Sequence, residues 1–178
     1  MTLDYDSMDA VAMLKADHRS VEALFADFEK ADDPERRRTL ANRICLELKV
    51  HAVIEEEIFY PACSGVVQED LLKEAYVEHD GAKLLINEIE AIEPSDPYYD
   101  AKVMVLSEMI DHHVEEEERR VEGLFAQARE AGLDMNELAD AMRDRRETAF
   151  DQYGLGAPAI PTTLRTQQRP NAAPWEPK

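Results

Sequence analysis

The sequence predicts an all-α protein: an up-down-up-down four-helix bundle with a short fifth helix and an extended C-terminal tail. Three observations carry the prediction. Glycine is scarce, 6 in 178 residues, while Ala, Leu, Glu, Arg and Met are plentiful, a composition that favours helix. Apolar residues recur at helical spacing in four long segments separated by Pro- or Gly-containing breaks. Finally, His18, His51, His79 and His113 fall one per segment.

The first helix is expected over about residues 8–31, with Ser7 as N-cap and an apolar stripe of Val11, Leu14, His18, Val21, Phe25 and Phe28. Asp32-Asp33-Pro34 ends it. Asp33 then caps the second helix, about 35–63, with Pro34 in its first turn. Leu40, Ile44, Leu48, His51, Glu55, Ile58 and Phe59 share that helix's inward face, and Pro61 lies at its frayed end before the Ser64-Gly65 turn. The third helix, about 67–92, carries Leu71, Leu72, Tyr76, His79, Leu85, Ile86 and Ile89, and Pro94-Ser95-Asp96-Pro97 breaks the chain. Val103, Leu106, Met109, Ile110, His113, Glu117, Val121 and Leu124 mark a fourth helix over about 98–131, ending near Gly132. A fifth helix, about Met135–Phe150, has Asp134 as cap and packs through Leu138, Met142 and Phe150. Residues 1–153 are read as one domain, and the Pro-rich stretch 154–178, with the only tryptophan, Trp175, as a flexible tail.

In an up-down bundle, residues equally far from a turn lie at the same height. His18 and His51 lie about 14 and 16 residues from the first turn, His51 and His79 about 12 from the second, and His79 and His113 about 13 and 15 from the third. At the helical rise these mismatches amount to only about 3 Å. The four histidines therefore form one layer.

Two of them head an HxxxE step, His51–Glu55 and His113–Glu117. Positions i and i+4 share a helix face, so each step aims an imidazole and a carboxylate at one point. With His18 and His79 this gives six N/O donors, suited to a pair of first-row metal ions. A histidine-rich, carboxylate-poor set favours iron over magnesium or calcium, and it exceeds what one tetrahedral zinc needs. Metal also removes the cost of burying two carboxylates. His112, about 100° away around the helix, is the rival to His113. Glu56, Glu57, Glu115, Glu116 and Glu118 read as a solvated face or as outer partners of the ligands. No residue stands out as catalytic, and the expected role is metal and small-ligand binding rather than dedicated enzyme chemistry.

The net charge of −19 argues against nucleic acid and anionic membrane as partners. No apolar run is long enough to span a bilayer, and Met1–Asp6 lacks the pattern of a secretory signal. Cys45 and Cys63, roughly 27 Å apart by helical rise, cannot pair and read as reduced thiols of a cytoplasmic protein.

Asp17-His18-Arg19, His51-Ala-Val-Ile-Glu55-Glu-Glu-Ile-Phe-Tyr-Pro61, Glu78-His79-Asp80 and His113-Val-Glu-Glu-Glu117-Glu, in this order, resemble the hemerythrin-like (HHE cation-binding) domain over roughly residues 8–131. The resemblance implies a non-haem di-iron centre with Glu55 and Glu117 bridging and His18, His51, His79 and His113 as terminal ligands. It also implies O₂, NO or peroxide as the small ligand, in oxygen, iron or redox sensing, storage or detoxification. One departure stands out. Oxygen-carrying members have a second histidine one turn from the third-helix ligand, where this chain has Ala75 and Lys83. Glu22 and Tyr76 are candidates to fill or shield that place, although a surface charge and a core aromatic are the readings preferred for them. The departure suits redox, peroxide or NO chemistry, or sensing, at least as well as reversible oxygen carriage. Two alternatives remain: a ferritin-like or rubrerythrin-like di-iron oxidase, whose Glu-x-x-His signature is absent, and a metal-free helical interaction module.

Overall fold

The structure, a computed structural model, describes residues 5–154. The predicted Pro-rich tail and Trp175 lie outside the described residues. A short 3-10 turn, Tyr5–Ser7, leads into α1, Ala10–Lys30. The cap is Asp9 rather than Ser7: its carboxylate accepts from the Ala12 N–H at 2.9 Å and also pairs with Arg129, a partner that Ser7 could not match. α2, Pro34–Ile54, is capped by Asp33 as expected and runs on through a π-helical turn, Glu55–Phe59, into a last turn, Tyr60–Cys63.

α3 spans Glu69–Glu90 and α4 spans Tyr99–Glu118. α4 is shorter than its apolar periodicity suggests. The chain leaves the helix at Arg119 and re-enters as α5, Leu124–Glu130, so Val121 stands 76% exposed instead of joining the stripe. Gly123 makes the tight return possible: a Cβ there would lie 2.5 Å from the Arg119 carbonyl oxygen and 2.6 Å from that of Glu117. α6, Met135–Gly154, begins at Asp134, whose carboxylate accepts from the backbone N–H groups of Asn136 and Glu137.

α1 to α4 form the bundle, each touching its neighbours around the ring, and α6 lies along α1 and α2. Val50, Ala149 and Tyr153 seal the α2–α6 seam. The core comes in two slabs. One holds Leu14, Ile54, Phe59, Leu72, Leu124, Phe125 and Met142; the other holds Phe25, Ile44, Leu48, Ile86, Val103, Leu106 and Ile110. The layer of histidines lies between them. Cys45 belongs to one slab and Cys63 to the other, both free, and burial pushes each thiol up to about 12. Among the described residues, no helix is long and apolar enough to cross a membrane.

Candidate metal centre

The structure brings all six predicted donors together. His18, His51, His79, His113, Glu55 and Glu117 are each at most 5% exposed, whereas His112 is 59% exposed on the outer face of α4. The imidazoles meet in pairs: His18 Nε2 lies 3.1 Å from His51 Nε2, and His79 Nε2 lies 3.2 Å from His113 Nε2. Each carboxylate reaches across both pairs. Glu55 Oε2 is 3.1 Å from His51 Nε2 and 3.3 Å from His79 Nε2. Glu117 Oε2 is 3.4 Å from His18 Nε2 and 3.6 Å from His113 Nε2. Two groups of donors thus stand side by side: His18, His51, Glu55 and Glu117, and Glu55, His79 and His113.

Every imidazole is held from outside by a carboxylate at Nδ1. The partners are Glu118 for His18 at 2.8 Å, Asp17 for His51 at 3.5 Å, Glu56 for His79 at 3.0 Å and Glu78 for His113 at 2.7 Å. A proton committed to the outer nitrogen leaves a lone pair on Nε2, the arrangement that metal-bound histidines use. In the metal-free site the 3.1 Å approach of His51 Nε2 to His18 Nε2 needs a proton between the two nitrogens, and a metal ion would take that proton's place. The carboxylates tell the same story. Glu55 Oε1 and Glu117 Oε2 are, among the described residues, the buried side-chain oxygens with no hydrogen-bond partner. Leaving such atoms bare is costly, and a metal ion supplies the missing contact. The donor set and its bare atoms fit a metal pair.

The same crowding governs the protons. Burial and the charge of Glu55 push Glu117 up to about 8. Burial disfavours the charged forms of Glu55 and His51 alike, but each offsets that cost for the other. His51, with Asp17 also behind it, rises to about 10, and Glu55 is held well below the ordinary carboxylate range. Burial drives His18 down to about 4. Against the cost of burial, Glu55 and Glu56 also raise His79, so the protons that metal would displace are held on His51, His79 and Glu117.

Outward of the carboxylates come cations. Arg146 of α6 donates to Asp17 at 2.6 Å, beside Tyr5, whose hydroxyl donates to Asp17 at 2.5 Å. Lys83 pairs with Glu56, and Arg19 and Lys15 pair with Glu118. Glu56 and Glu118 are thus outer partners of His79 and His18, while Glu57 faces α6 and pairs with Arg145.

The sequence reading missed Tyr60. Its hydroxyl donates to Glu117 Oε1 at 2.9 Å and lies 3.3 Å from Glu55 Oε2, 3.2 Å from His79 Nε2 and 3.5 Å from His113 Nε2. It occupies the middle of the His79–His113 half. Tyr76 packs edge-on against its ring at 5.2 Å, and Glu22 pairs with Arg19 at the surface, so neither fills the place left by the absent histidine. The π turn explains how Tyr60 gets there. The Tyr60 N–H bonds the Glu55 carbonyl five residues back, which turns Tyr60 rather than Phe59 onto the Glu55 face. Pro61 is the signal in the sequence: it has no N–H to donate, and its ring crowds the carbonyl four residues before it, that of Glu57.

The Hemerythrin HHE cation binding domain description matches residues 9–125. A protein named DNA nickase from Nostoc sp. strain PCC 7120 is 30% identical over 147 residues, which are 83% of this chain and 39% of that protein. The chain thus spans well under half of that relative's length. The crystal structure of a hemerythrin HHE cation binding domain-containing protein from Mycobacterium kansasii superposes with a TM-score of 0.70 at 23% identity, covering 89% of this chain and 99% of that one, which shows a shared fold.

Proposed function

Because this chain belongs to the hemerythrin HHE cation-binding domain family, we propose that His18, His51, Glu55, His79, His113 and Glu117 hold two non-haem iron ions, within a domain spanning residues 1–153. The observation that carries this reading is the pair of bare carboxylate oxygens, Glu55 Oε1 and Glu117 Oε2, facing four inward imidazole nitrogens. Imidazole with few carboxylates suits iron, and two carboxylates that each contact both histidine pairs suit two ions rather than one. Iron bound there supplies redox chemistry toward O₂, NO or peroxide.

The chain's own groups set the terms of that chemistry. The four outer carboxylates fix each ring and raise the basicity of its inner nitrogen. Tyr60 provides a further oxygen to the His79–His113 half. Burial and the charges of Glu117 and Glu55 push this phenol well above its ordinary range, so it holds its proton at neutral pH in the metal-free site. A narrow cavity with apolar walls from Leu48, Ala52, Ala82, Ile86 and Ile110 abuts the histidines and favours a small uncharged ligand. We place such a protein in the cytoplasm, where its thiols stay reduced.

The test is metal analysis of fresh protein and of protein loaded anaerobically with Fe²⁺, followed by NO, azide and O₂ with absorption spectra. The reading expects about two iron ions per chain and new bands on ligand addition. Protein that binds a single zinc tightly and refuses iron contradicts it. A second reading, DNA cleavage, is favoured by the name of the Nostoc relative and opposed by the net charge of −19. Conversion of supercoiled plasmid to open circle by the metal-loaded chain, lost on chelation, would support it.

A further inference from the structure

Three of the four outer carboxylates are matched by a lysine or arginine: Glu118 by Arg19 and Lys15, Asp17 by Arg146, and Glu56 by Lys83. Glu78 differs. Among the described residues its ionic contacts are the two histidines of α4, His113 at 2.7 Å and His112 at 3.6 Å. Glu116, one turn beyond His112, approaches the same ring at 3.9 Å. Glu78, His112 and Glu116 each offer one donor atom within 4.8 Å of the others, at the surface.

Beneath them lies a narrow cavity with room for about one water molecule, whose walls include Glu78 and Glu116 outside and His113 and Glu117 inside. Ala75 also lines it, and its small side chain leaves open the space beside the His79 face of α3. At its inner end stands the buried Glu117, whose Oε2 has no hydrogen-bond partner. An acidic surface cluster, an unmatched carboxylate and a bare buried oxygen thus follow one another from surface to site. The cavity against the opposite core slab has largely apolar walls, with the cationic Lys49 and Lys83 among them, and is the less favourable route for a cation.

We propose that Glu78, His112 and Glu116 form an outer site for a divalent first-row metal ion, from which the ion passes along the cavity to Glu117 and His113. This rests on the reading of the buried donors as a metal centre. The outer donors are few and one of them, His112, is well exposed, so the ion is held weakly and released inward. Arg119, which contacts Glu116 at 3.3 Å and is half exposed, is the group that the ion displaces.

The experiment is uptake of Co²⁺ by the metal-free full chain, followed by visible absorption in a stopped-flow instrument at low salt. The wild type is compared with a double variant, His112→Ala with Glu116→Gln, and with Glu137→Gln, which removes the same charge from exposed α6. A one-signed cleft raises ion capture by about tenfold or more, so the double variant should load about tenfold more slowly, reach the same final cobalt content and lose most of the salt dependence. Glu137→Gln should load at the wild-type rate. A double variant that loads as fast as wild type, that is slowed no more than Glu137→Gln, or whose final cobalt content falls overturns the proposal. Wild-type protein that takes up no cobalt overturns the buried centre as well, a result distinct from the other three.

Discussion

The two halves of the centre contain the same imidazole pair but complete it differently. His18 and His51, from α1 and α2, meet edge-on, with Phe125 stacked on His18 at 5.8 Å and Arg146 of α6 behind Asp17. His79 and His113, from α3 and α4, meet around the Tyr60 hydroxyl and are supported by groups of their own helices and of α2. Lys83, one turn after His79, shows the difference best. At a position where an oxygen carrier could place a ligand, it turns outward to neutralise Glu56, and the donor comes instead from α2 through the π turn. On the proposed reading, a donor absent from one helix is supplied by another without disturbing the shared carboxylates.

The largest expected effect falls on both halves together. Glu55→Ala or Glu117→Ala should abolish the two-metal centre, because each carboxylate contacts one histidine of each pair. Glu115→Ala should leave metal content unchanged. Equal losses from all three would mean that the inward face is misassigned.

Arg146→Ala tests the first half alone. It leaves the buried Asp17 carboxylate without its guanidinium, and breaking such a pair costs about 3–5 kcal/mol. Urea unfolding should show that loss, with Arg146→Lys recovering part of it. Lys83→Met should cost less, since His79 still donates to Glu56. A larger loss from Lys83→Met would reverse the ranking of the two supports.

Tyr60→Phe tests the second half. It leaves Glu117 Oε1 without its donor, at a cost of roughly 1–3 kcal/mol to the metal-free protein. Calorimetric titration with Fe²⁺ should show one binding step weakened and the other kept. Loss of both steps would place the phenol in a shared role. The smallest effect concerns the tail: removing residues 157–178 should leave metal content unchanged, since no proposed ligand lies there.

The sequence made the helices, the single layer of histidines and the convergence of the six His and Glu side chains legible because all three depend on regular helical rise and period. It hid what breaks that regularity. Tyr60 reaches the centre only because the π turn slips the register by one residue, and an unbroken α2 points Phe59 there instead. The early end of α4 was masked by Val121 and Leu124, which continue its apolar pattern, and Gly123 was the residue that marked it. The outer carboxylates could be guessed as a class, but pairing Asp17 with Arg146 required the path of α6, 129 residues away in sequence.

Mössbauer spectroscopy of anaerobically ⁵⁷Fe-loaded protein tests the central claim most directly, because it counts iron environments separately. The account predicts two doublets of equal area from about two ions per chain, with Tyr60→Phe shifting one and leaving the other in place. A single doublet in the wild type, or a Tyr60→Phe variant that moves both equally, would contradict it.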